Sequence, residues 1–106
     1  MPKYLFHGSY TEEGLKGLLK DGGTKRMEET KKAVESLNGK FESYYFAFGD
    51  NDFYLIADIP ERVSAIAGSL LVNVSGAVKA KITALIDPEE VDQAIEKTMD
   101  WRPPGH

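Results

Sequence analysis

Residues 40–59, KFESYYFAFGDNDFYLIADI, set two runs of aromatic and aliphatic residues on either side of a short polar break. No other stretch restricts the fold as tightly. Residues 40–49 and 52–59 read as two strands joined through Asp50-Asn51, a close-range hairpin signal. A chain that contains this hairpin must bury at least one of its aromatic faces, so the flanking segments have to supply the cover.

Those segments alternate in type. Residues 3–10 (KYLFHGSY) read as a strand, and Thr11 is placed to cap a helix whose first turn holds Glu12 and Glu13. Gly14 and Gly17 weaken that helix by roughly 1 kcal/mol each relative to alanine, which implies close packing or function there. Asp21-Gly22-Gly23 breaks it. A second helical stretch from Thr24 carries Met27, Thr30, Val34 and Leu37 on one face, and Asn38-Gly39 supplies a left-handed stop. After the hairpin, Pro60-Glu61 opens a helix with the stripe Val63, Ile66, Ala67, Leu70, Leu71 and Val74. Residues 77–86 alternate as a last strand, Val78, Ala80 and Ile82 opposing Lys79, Lys81 and Thr83. A short helix begins at Asp87-Pro88 with Val91, Ala94 and Ile95 expected inward, and residues 99–106 form an extended tail.

The order is strand, helix, strand, strand, helix, strand. It predicts an α+β ferredoxin-like βαββαβ fold: an antiparallel four-stranded sheet, helices on one face, and a short C-terminal helix with an extended tail. Residues 1–98 are read as one domain and 99–106 as the tail.

One sheet face is then left without helices. Ten of the eleven aromatic residues lie in or beside the first three strands. In the second strand both faces are apolar, with Phe41, Tyr45 and Ala47 opposing Tyr44, Phe46 and Phe48. A sheet wetted on one side alternates more strictly, and a bare aromatic surface invites aggregation. The expectation is therefore a homodimer or higher oligomer packed through the open sheet face; the alternative is that the C-terminal helix and tail fold back over it.

Composition narrows the function. Thirteen basic against seventeen acidic residues give a net charge of −4, the wrong sign for binding a nucleic-acid backbone. Residues 40–46 also lack the Lys/Arg-Gly-aromatic pattern of RNA-recognition strands. There is no cysteine, so disulfides, thiolate metal sites and a cysteine nucleophile are excluded. The reading is a cytoplasmic protein with no membrane segment, metal or cofactor.

His7 and Asp52 are the candidate catalytic residues. His7 could act as a general base near neutral pH, although a strand histidine more commonly satisfies a local hydrogen bond. Asp50-Asn51-Asp52 lacks the spacing of a calcium loop, and turn formation explains it on local grounds. Tyr10, Tyr54 and Lys79 are the candidate ligand-binding residues. Lys79 and Lys81 could hold an anionic group, or could simply guard an edge strand.

The blocks YLFHGSYTEEG (4–14), LNGKFESYYFAFGDND (37–52) and SGAVKAKITALIDPEEVD (75–92) resemble the GYD-domain proteins, small bacterial proteins of the dimeric α/β-barrel type of ferredoxin-like fold. The likeness runs from Tyr4 to about Lys97. Of the family's Gly-x-Tyr-Asp segment, Gly49 and Asp52 match, while Asn51 stands where the family has tyrosine. Tyr10, Thr11 and Gly14 match its aromatic-Thr-x-x-Gly strand exit. The resemblance implies the fold and a dimeric assembly. Relatives by fold include cofactor-free enzymes that bind small organic substrates between sheet and helices, an analogy of fold alone. The expectation is a small-molecule-binding oligomer, with a cofactor-independent enzyme as one version. A non-catalytic structural or regulatory association module is the alternative.

Overall fold

Four strands, β1 (Lys3–Tyr10), β2 (Lys40–Phe46), β3 (Phe53–Asp58) and β4 (Val78–Leu85), form one antiparallel sheet in the order β2-β3-β1-β4. The computed structural model describes residues 2–106. Helices α1 (Glu12–Asp21) and α2 (Gly23–Ser36) fill the first crossover, α3 (Arg62–Val74) fills the second, and α4 (Pro88–Ile95) follows the sheet. This is the expected α+β plan. The first crossover helix is split at Gly22, whose φ of 86° only glycine adopts at little cost.

Local chemistry sets the element boundaries. Thr11 caps α1 by accepting from the Gly14 N–H, and its own hydroxyl donates to the Gly76 carbonyl at 2.7 Å. Its backbone N–H donates to Ala77 O at 3.0 Å. A Cβ at Gly14 would sit 2.0 Å from Ala77 O, so the start of α1 can rest on the start of β4 only if residue 14 has no side chain. Gly17 meets nothing within 4 Å, and close packing does not account for it. Asn38, at φ 59°, makes the left-handed stop after α2.

The core lies between the sheet and the two longer helices. Tyr4, Phe6, Leu55, Ala57 and Ile59 are buried against Val34 of α2 and Ala65 of α3. Burial of each large side chain here contributes about 1.5–3 kcal/mol. α2 lies over β2 and α3 over β4. The opposite sheet face carries Leu5, His7, Tyr45, Tyr54 and Ile56, and no helix covers it; Tyr45 is 69% exposed.

Four local expectations are corrected. First, the β2–β3 register shifts between Phe41 and Ser43, which leaves Glu42 as an extra residue. That bulge turns Phe41 to the core side with Tyr44, away from Tyr45. Second, the hairpin connection spans residues 47–52 rather than two residues, because the ladder ends at the Phe46–Phe53 pair. Asp52 is drawn to β1 instead: its N–H donates to Gly8 O at 2.7 Å and its carboxylate accepts from Tyr10 N–H at 2.9 Å. Third, the buried side of α3 is built on Ala65, while Val63, Leu70 and Val74 of the expected stripe face solvent. The helix is apolar almost all round, so its period does not choose a side, and the small residues allow the closest approach to the sheet. Fourth, Val91, Ala94 and Ile95 of α4 are exposed.

Candidate functional site

The inward residues of the two covering helices are short where they cross the middle of the sheet. Thr30 and Ala33 of α2 and Gly68 of α3 face the larger Phe6, Tyr10, Tyr44, Phe53 and Leu55. Small side chains opposite large rings leave space between the layers. The result is a cavity of about 470 Å³ that Leu37, Leu71 and Val72 also line; Leu71 and Val72 are themselves exposed, so it opens to solvent beside α3.

Its floor is an aromatic cluster. Tyr44 stacks on Phe53 with ring centroids 6.0 Å apart and planes within 5°, and meets Phe46 edge-on at 5.1 Å. Tyr10 leans on Phe53 at 5.5 Å. The Tyr10 and Tyr44 hydroxyls hydrogen-bond to each other at 2.8 Å. Burial pushes the Tyr44 phenol far above its usual range and the bond to Tyr10 adds to that, while the positive charge of Arg26 pulls weakly the other way. Tyr44 is therefore a neutral hydroxyl in this cavity, able to donate or accept but not to serve as a base. Arg26 also lines the space; its guanidinium is 3.8 Å from the Asp21 carboxylate, a loose pairing. The Thr30 hydroxyl donates to Arg26 O within α2.

A second polar cluster sits on the other face. In register across the sheet lie Tyr45, Tyr54, His7 and Lys81. His7 and Tyr54 stack with centroids 6.1 Å apart. Asn51 bridges them: its amide nitrogen donates to the Tyr54 hydroxyl at 3.2 Å, and its carbonyl oxygen lies 3.2 Å from His7 Nδ1. Asn51 thus links the His7 ring to the Tyr54 hydroxyl.

The candidate residues do not gather in one place. Tyr10 lines the cavity. His7 and Tyr54 stand on the opposite face, and Lys79 is exposed there on β4, paired with Ser9 at the sheet edge. Asp52 clasps the end of β1, beside a shallower pocket shared by Tyr10, Phe46 and Phe48. Asp50 and Asn51 belong to the β2–β3 connection. Arg26 and Tyr44 were not singled out from the sequence. Tyr44 was legible as an aromatic on a strand, but its bond to Tyr10 depends on the strand order; Arg26 reads like any charged residue on an amphipathic helix.

Among the described residues, no group of three His, Asp or Glu side chains is placed to hold a metal ion. Among the same residues, no helix is long and apolar enough to cross a membrane. A family model, the GYD domain, matches residues 4–95. No curated protein and no solved structure matches the chain.

Proposed function

The chain belongs to the GYD-domain family, and from that premise we propose that it binds a small, predominantly apolar organic molecule in the cavity between sheet and helices. The observation that carries this reading is the cavity itself: about 470 Å³, walled mainly by aromatic and aliphatic groups, with the Tyr10–Tyr44 hydroxyl pair, Arg26 and the hydroxyls of Thr30 and Ser75 as its few polar groups, the last two already donating to backbone carbonyls. Its size and its balance of apolar wall to polar groups are those of small-molecule sites. A ring-sized ligand would lie on Tyr44 and Phe53 and present an acceptor to a hydroxyl or to Arg26.

Binding is favoured over catalysis. The histidine that could act as a base stands on the far face of the sheet, and burial holds the proton on the Tyr44 phenol. A second reading belongs to the same molecule: the open face, with Tyr45 69% exposed beside Tyr54 and Ile56, supports association with a second copy.

The binding reading is tested by thermal denaturation with a panel of small aromatic compounds, comparing the protein with Ala33→Phe, which fills the cavity. A ligand at 100 times its Kd adds about 2.7 kcal/mol, a shift in Tm of several degrees for a domain of this size. The expected result is such a shift for the unsubstituted protein and none for Ala33→Phe. Equal shifts in both, or none in either, would count against the cavity.

A further inference from the structure

The chain divides after β4 into two parts of different character. Residues 86–106 are exposed throughout, including the large apolar side chains of Val91, Ile95, Met99 and Trp101. The radius of gyration is 17.1 Å and the long dimension 58 Å, whereas a compact chain of this length has a radius near 13 Å. The exit direction of this arm is set locally. Asp87 and Glu90 form a reciprocal capping box, and Pro88 occupies the first turn of α4.

Charge is divided in the same way. The arm holds six acids (from Asp87 to Asp100) and two bases (Lys97 and Arg102), so it carries the whole net charge of −4; the body, with eleven of each, is neutral. The open sheet face is short of free carboxylates. Lys3 holds both Glu42 and Asp58, while Lys79 and Lys81 on the β4 rim make no ion pair among the described residues. Two such faces laid together would bring lysines with no acids to meet them. The arm has the acids, and an apolar side with nothing to cover.

We propose that the arm of one copy lies across the open sheet face of a second copy, and reciprocally. Val91, Ile95 and Trp101 rest on the surface of Tyr45, Tyr54 and Ile56, and the carboxylates of the arm lie beside Lys79 and Lys81. This rests on the reading that a second copy covers that face, and adds which element does the covering.

Trp101 is the only tryptophan, so its fluorescence reports directly on the arm. The full-length chain is followed by sedimentation and by emission wavelength across a dilution series. Two double variants are compared with it: Val91→Ser with Ile95→Ser, and Lys79→Glu with Lys81→Glu. All four positions are exposed, so the body does not depend on them. The expected result is a dimer whose Trp101 emission moves to the blue on assembly. Each double variant weakens assembly by about tenfold or more, and adding Asp92→Lys and Glu96→Lys, which leave the capping box intact, to the lysine variant restores part of it. A dimer with unmoved emission, unaffected by the serine variant, overturns the arm exchange and leaves the second-copy reading standing. A monomer at every concentration overturns both.

Discussion

Asp52, a catalytic candidate by sequence, has a mechanical role in the fold. Its backbone N–H reaches Gly8 O and its carboxylate reaches Tyr10 N–H, so residue 52 fastens the β2–β3 connection to the exit of β1. Replacement by alanine leaves the half-buried Tyr10 N–H without its acceptor and costs about 1–2 kcal/mol. Asn keeps an acceptor and loses less, and urea denaturation of the two variants reads the difference. Tyr44 makes a separate prediction. Its phenol is raised in the folded state, so the stability linked to it is fully present below the ordinary tyrosine value, near 10. That stability is lost as pH rises further, through the folded value. In an ultraviolet titration Tyr44 ionises only as the chain unfolds, and Tyr44→Phe removes one phenol from that late step.

The elements were legible wherever one local pattern spoke alone. β4 alternates over most of its length and β1 reads as an aromatic-rich strand, and the sheet takes both as they read; Thr11, Gly22 and Asn38 mark boundaries through caps and dihedral preference. Legibility failed where two signals agreed too well or where a distant partner intervened. The bulge at Glu42 follows from pairing with β3 and has no local mark, so simple alternation puts Phe41 on the wrong face. The hairpin lost its two-residue turn because β1, far away in sequence, captured Asp52. In α3 an apolar stripe exists on both sides, and small size at Ala65 decided which is buried. The cavity was invisible for a related reason, since it depends on short residues of α2 and α3 meeting large rings of three strands. The orientation of α3 has a direct consequence. Ala65→Leu forces extra methyl groups into a fully buried position and destabilises the fold by about 1–3 kcal/mol. Val63→Gln, at 74% exposure, stays within about 0.5 kcal/mol in the dilute protein. Had the sequence stripe been the buried one, the two effects would exchange.

At the scale of the whole molecule, the fold is a neutral body that closes its own core on one side of the sheet and leaves the other side, together with an acidic arm, without a covering surface. The cavity and the open face lie on opposite sides of the same strands, so the proposed ligand binding and the proposed association need not compete for surface. They do share β1 and β3, whose alternate residues serve the two sides in turn: Phe6 and Phe53 toward the cavity, His7 and Tyr54 toward the open face. The arm contributes nothing to the core, because every residue after Leu85 is exposed and every residue of the buried cluster precedes it. Hydrophobic stabilisation follows the area removed from water, so a chain ending at Ile86 forfeits almost none of it. Diluted below assembly, the shortened and full-length chains should unfold at the same denaturant concentration and with nearly the same slope, since the slope follows the surface exposed on unfolding. A midpoint that falls on truncation would mean that the arm folds back onto its own body in solution, and the open face would then be covered from within.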